Sequence, residues 1–244
     1  NPNNACNWRC IYCQVPDLKR GGPPPIDLQR LESELTEMLN RLYTGDFLER
    51  HVPAEARRVV DIAFSGNGEP TSAAEFADVV ALIGRLLDRR QLADPPLLRL
   101  ITNGSFLGRP GVQAGITGIG QRQGEVWFKV DAVGKEAMRC INGAGLEPAT
   151  VLKRLRKCAG LCPTWVQTCL FKLDGAYPAN DELDRYVELL ANAQDTLAGV
   201  HLYGLARPSM QPEAVRLATV PADWLDAVAL RIRRQTGLTV SVSP

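Results

Sequence analysis

The chain has 244 residues, and its 28 Lys and Arg against 27 Asp and Glu leave a formal net charge of +1 at pH 7, so no global field directs it to nucleic acid or anionic lipid. With 45% hydrophobic and 23% charged residues it has the composition of a folded globular protein, which excludes a disordered or collagen-like chain. The nearest thing to a long apolar run, residues 79–87, is broken by Gly84 and Arg85 and cannot span a bilayer.

Seven cysteines, an odd number, and only two histidines, His51 and His201, favour a reducing, cytoplasmic setting. They argue against a disulfide scaffold and against a multi-histidine metal site.

In chain order, the first feature is a cysteine-rich segment, residues 4–13, followed by the stiff loop Gly21-Gly22-Pro23-Pro24-Pro25. Leu28, Leu31, Leu35, Leu39 and Leu42 then recur at helical spacing. A strand is expected at 59–64, then a turn at 65–71 and a helix whose apolar stripe is Val79, Leu82, Ile83, Leu86 and Leu87. Ser72 and Glu75 have the spacing of a capping box at its start.

A second strand is expected at 97–101. Residues 104–124 carry seven glycines and read mainly as a long irregular connection. Further strands are expected at 125–130, 165–171, 200–203 and 238–242, and helices near 134–139 and at 148–158, 181–193 and 222–235. Six apolar strands alternating with amphipathic helices predict an α/β fold with a parallel sheet. No linker divides the chain, so one domain is expected over 1–244, with a barrel over about 1–205 and a C-terminal helix and strand over about 206–244.

The residues that carry chemistry come first in the chain. Cys6, Cys10 and Cys13 are spaced C-x3-C-x2-C within eight residues, close enough for three thiolates to face one group. An iron-sulfur cubane with one iron left open suits such a loop. A structural zinc site needs a fourth ligand from elsewhere, and three unconnected core cysteines are the remaining alternative.

Tyr12 directly precedes Cys13, and Ala63-Phe64-Ser65-Gly66-Asn67-Gly68-Glu69-Pro70-Thr71 closes a strand and opens a helix. The triplet and this Gly-Glu-Pro turn together resemble the signature of the radical S-adenosylmethionine (SAM) superfamily. Within it, the turn and Val126-Trp127-Phe128-Lys129-Val130-Asp131-Ala132 look most like the wybutosine-synthesis group, which modifies a guanosine of transfer RNA.

The resemblance implies a partial (β/α)6 TIM-like barrel with parallel strands and the site at their C-terminal ends. Superfamily members usually have a strand ahead of the cysteines, so a first strand missing from this chain is expected. Cys6, Cys10 and Cys13 would ligate a 4Fe-4S cluster, and SAM would chelate its open iron. Reductive cleavage would then give a 5'-deoxyadenosyl radical that abstracts hydrogen from substrate.

Tyr12 would pack near the adenine, the Gly68-Glu69-Pro70 backbone would receive the methionine ammonium, and Asn103 would end the next strand at the cofactor. Asp131 is assigned to the ribose, with an N-cap role as its equal alternative. Gln167 and Thr168 are expected to point into the barrel mouth, and Arg207 to meet a substrate anion or a surface carboxylate. The implied electron donor is a flavodoxin or ferredoxin; the resemblance leaves the substrate unknown, with an RNA base, a peptide or a partner protein as candidates.

Lys153, Arg154, Arg156, Lys157, Arg231, Arg233 and Arg234 read as solvated helix faces rather than an RNA footprint. Cys158, Cys162 and Cys169 fit buried small hydrophobes better than an auxiliary cluster. The rival functional classes are an iron-sulfur electron carrier and a zinc-stabilised binding module without SAM chemistry.

Overall fold

The apolar runs resolve into strands β1 (Asp61–Phe64), β2 (Leu97–Thr102), β3 (Glu125–Lys129), β4 (Thr164–Cys169), β5 (Gly199–Tyr203) and β6 (Val240–Ser243) in a computed structural model that describes residues 3–244. They form one six-stranded sheet in sequential order, with β1 and β6 at its edges, and every neighbouring pair is parallel. This is the α/β arrangement expected of an open (β/α)6 barrel. Around it lie helices α1 (Leu28–Tyr43), α2 (Phe76–Arg90), α3 (Pro110–Gln121), α4 (Lys135–Asn142), α5 (Pro148–Ala159), α6 (Asn180–Ala191) and α7 (Ala222–Thr236). Among the described residues, no helix is long and apolar enough to cross a membrane.

Strand alternation divides the sheet into two environments. Leu98, Leu100, Val126, Phe128, Val166, Val200 and Leu202 are buried in one core with helix residues such as Ile116, Leu155, Leu190 and Ile232. Each such side chain contributes about 1.5–3 kcal/mol by leaving water.

The residues between them face the open interior and are only half-buried. There Arg99 pairs with Asp61 and with Glu125, the latter at 2.8 Å. Its guanidinium also lies 4.4 Å from the centre of the Trp127 ring, and His201 stacks on Trp165 at 4.5 Å.

Three local expectations are corrected. Ser72 and Glu75 make no capping box: α2 begins at Phe76 with Glu75 as a cap that makes no side-chain bond. Ser72 instead belongs to a short 3-10 turn, Pro70–Ser72, and its hydroxyl donates to the Glu69 carbonyl at 2.6 Å.

The glycine-rich stretch is not mainly irregular, because 110–121 form α3, opened by Pro110 at its first turn and carrying buried Val112, Ile116 and Ile119. Its glycines permit close packing: a Cβ on Gly115 would lie 2.5 Å from the Phe76 ring of α2. The strand expected at 165–171 ends at Cys169. Beyond it Lys172–Leu173 pairs antiparallel with Leu217–Ala218.

Candidate SAM and iron-sulfur site

The cysteine loop is held by bonds on either side of its thiols. Ala5–Cys6 pairs in parallel with Lys19–Arg20. The Arg9 and Ile11 amides donate to the Asn142 and Ile141 carbonyls at the end of α4, at 3.0 and 2.8 Å. Segment 209–213 clamps the loop from the far side of the chain. Ser209 Oγ donates to the Ile11 carbonyl at 2.7 Å, and the Met210 amide to that of Cys13 at 2.9 Å. Gln211 Nε2 reaches Val15 at 2.8 Å, and Arg9 forms a two-bond pair with Glu213 at 3.0 and 3.2 Å. Trp8, Ile11 and Tyr12 are buried as anchors while Cys6, Cys10 and Cys13 stay partly open.

Opposite the thiols, β1 runs into the turn 65–69. Gly66 sits at φ 112°, a conformation that a side chain disfavours. The Glu69 side chain is buried and fastens this turn to the end of β2. One oxygen accepts from the Thr71 amide (3.2 Å), the Thr71 hydroxyl (2.5 Å) and the Thr102 hydroxyl (2.5 Å); the other accepts from the Asn103 amide at 2.7 Å. Burial pushes the Glu69 carboxyl up from its usual value, with the Asn103, Thr102 and Thr71 bonds pulling the other way. The Asn103 side chain bridges to Asn7 of the cysteine loop, its Nδ2 donating to Oδ1 at 3.0 Å.

The remaining wall comes from the ends of β3, β4 and β5. Lys129 lies 3.3 Å from the Tyr203 hydroxyl and 5.1 Å from the Tyr12 ring centre. Burial opposes its charge, yet Asp131, 3.8 Å away, prevails and holds the ammonium above its ordinary range. Cys6, Cys10, Cys13, Tyr12, Gly68, Glu69, Asn103, Lys129, Gln167, Tyr203 and Arg207 all line one cavity of about 560 Å³.

Most of the sequence-assigned residues therefore meet. Pro70 instead lines a neighbouring cavity towards α1, and Asp131 lies behind the wall. The Asp131 side chain is fully buried. It accepts from Tyr12 Oη at 2.5 Å, Asn142 Nδ2 at 2.8 Å and the Cys169 amide at 3.0 Å. It is not the N-cap of α4 either, since Gly134 holds that position without a side-chain bond.

Of the neighbours Gln167 and Thr168, only Gln167 faces the cavity. Thr168 is on the buried face and bonds the Val130 carbonyl and the Tyr186 hydroxyl, because consecutive strand residues point oppositely. Sequence reasoning passed over Lys129, Trp8 and Asn142. For Lys129 a signal existed, a cation between apolar Phe128 and Val130.

The donor set fits an iron-sulfur cluster. All seven cysteines are free, and the thiols of Cys6, Cys10 and Cys13 share a cavity wall that Cys169, at the end of β4, also lines. Among the described residues, no three His, Cys, Asp or Glu groups gather to hold a single metal ion; a cubane spreads its irons and takes one thiolate at each. Burial, with Asp131 adding to it, pushes the Cys10 thiol up to about 12, so ligation there releases a proton.

Cys158 and Cys162 lie in the core before β4, where Cys162 Sγ meets the Gly124 carbonyl at 3.4 Å. Cys169 ends the same strand, so these three do not form one ligand set. The basic helix residues are partly engaged within the chain: Arg156 bonds the Asn192 carbonyl at 3.1 Å, Arg231 pairs with Asp184, and Arg233 bonds the Val240 carbonyl at 2.6 Å.

The fold is that seen in structures of radical SAM enzymes. A structure of TYW1 with a bound lysine-pyruvate adduct superposes with a TM-score of 0.61 at 18% identity, over 94% of this chain and 70% of that one. A radical SAM methyltransferase from Sphaerobacter thermophilus gives 0.60 at 15% identity, over 98% of this chain and 64% of that one. The cobalamin-dependent SAM radical enzyme OxsB, with aqua-cobalamin bound, gives 0.52 at 14% identity, over 94% of this chain and 30% of that one. No protein-family model matches the sequence, and no curated protein matches it.

Proposed function

We propose that this protein is a radical SAM enzyme. The observation that carries the reading is the meeting of Cys6, Cys10 and Cys13 with the Gly68-Glu69 turn around one cavity at the C-terminal ends of parallel strands. In such sheets ligands collect at that end. Cys6, Cys10 and Cys13 would hold a 4Fe-4S cluster, which when bound would supply the electron for reductive cleavage of SAM.

The chain's own part is positional. The 65–69 backbone, braced by Glu69, offers carbonyls to the SAM ammonium. Asn103 ties that turn to the cysteine loop, and Gln167, Lys129 and Tyr203 supply polar groups at the strand ends. Tyr12, pinned through its hydroxyl to Asp131, offers its ring as a flat wall for the adenine. Arg207, at the exposed rim, can pair bidentately with a substrate anion. A flavodoxin- or ferredoxin-type donor fits the need for a low-potential electron, and the substrate class is open among an RNA base, a peptide and a partner protein.

Anaerobic reconstitution with iron and sulfide, followed by dithionite and SAM, tests the reading by mass spectrometry of 5'-deoxyadenosine. Product is expected from the native chain and from Cys158→Ala, and none from Cys10→Ala. Equal product from Cys10→Ala overturns it. A cluster that forms without any SAM cleavage supports an electron carrier instead.

A further inference from the structure

Asn142, the last residue of α4, is completely buried. Its Nδ2 donates twice, to Asp131 Oδ2 at 2.8 Å and to Cys10 Sγ at 3.3 Å. Its Oδ1 is one of two buried side-chain polar atoms, among those of the described residues, that have no partner. An orphaned buried oxygen is costly, so the orientation of this amide needs a cause.

Asp131 provides it. Its carboxylate is held by Tyr12 Oη and the Cys169 amide, and it can only accept from Asn142. With one N–H committed there, the second N–H of the same nitrogen faces Cys10. Turning the amide over would set its oxygen against the carboxylate. The backbone keeps the register, because the Asn142 carbonyl accepts from Arg9 and the Ile141 carbonyl from Ile11, on either side of Cys10. The sulfur thus meets a fixed donor, the arrangement suited to an electron-rich ligand.

We propose that Asn142 is a positioning residue that sets the reduction potential of a cluster ligated by Cys10, through its N–H to the Cys10 sulfur. This rests on the reading of the cysteine loop as a cluster site. A donor on a ligating sulfur stabilises the more negative, reduced cluster and raises its potential. Asp131 acts one step further out by orienting that donor, as outer groups do at metal sites.

The test is an EPR-monitored redox titration of the reconstituted full chain, with iron content measured alongside. Asn142→Leu keeps the volume and removes the donor; its reduction equilibrium constant is expected to fall about tenfold, 59 mV for one electron. Asn142→Gln, which keeps an amide, is expected to lie between Leu and wild type. An unchanged potential in Asn142→Leu at full iron content overturns the proposal.

Should Asn142→Leu hold no cluster, the native chain labelled with 15N only at asparagine side-chain amides decides. A nitrogen coupling to the reduced cluster in pulsed EPR, lost in Asn142→Gln, supports the proposal, and its absence overturns it. A native chain that takes up no iron and sulfide overturns the cluster reading itself, a result distinct from a filled cluster of unaltered potential.

Discussion

Glu69 shows how one side chain can shape a site that it serves mainly through the backbone. Its two oxygens accept from two different main-chain donors, the amides of Thr71 and Asn103. Glutamine has one accepting oxygen, so in either orientation its NH2 group faces a backbone N–H. Glu69→Gln is expected to cost about 1–3 kcal/mol in urea unfolding and to weaken SAM binding measured by calorimetry on the reconstituted protein. Asp131 teaches a related lesson: a carboxylate whose motif position suggests a ligand contact is committed to Tyr12, Asn142 and Cys169 inside the wall. The sequence shows the acid but not the donors that occupy it, since Tyr12 lies 119 residues away.

At the scale of elements, α3 is held by shape rather than propensity. Glycine in a helix normally costs about 1 kcal/mol relative to alanine, so Gly115→Ala would stabilise an isolated helix. Here the added methyl would sit 2.5 Å from the Phe76 ring and 3.4 Å from Ala77 Cα. Overpacking of this kind costs about 1–3 kcal/mol and outweighs the propensity gain. Gly115→Ala is expected to lower the melting temperature, read by circular dichroism; an increase would show that α2 and α3 can separate freely. The same contact explains why periodicity alone missed this helix: small residues mark the face that a neighbour approaches most closely. The capping box failed for a complementary reason, because Ser72 is recruited by the Glu69 carbonyl before α2 begins.

For the whole molecule, the open interior of the sheet is where pH enters. His201, stacked on Trp165 and close to Trp127, is held below its ordinary pKa, mainly by burial, with Arg99 adding to the effect and Glu125 opposing it. The unfolded chain, at about 6.5, therefore takes up the proton first as the pH falls. The neutral-His201 contribution to stability is complete above about pH 6.5 and is lost progressively below it. Thermal melts between pH 7.5 and 5.5 are expected to show falling stability, and His201→Phe, which keeps a ring in the stack, to flatten that dependence. An identical pH slope in the variant would assign it to other groups.

The same layer marks the limit of what could be read in advance. Runs such as Val126 to Val130 and Val200 to Leu202 announced strands because β-branched and aromatic residues dominate them, one face buried in the core and the other lining the half-open interior, a pattern each segment carries within itself. The cysteine spacing and the Gly68-Glu69-Pro70 turn were legible for the same reason: a short stretch of chain must bend in a particular way to present those atoms. By itself, then, the sequence determined the six strands, most of the helices and the two loops that line the cavity. Only the tertiary structure decided which side chains share a cavity, that Gln167 faces it while Thr168 does not, and that Asn142 reaches Cys10 across 132 residues. Such contacts depend on strand register and on the closure of long loops, and no local pattern encodes either.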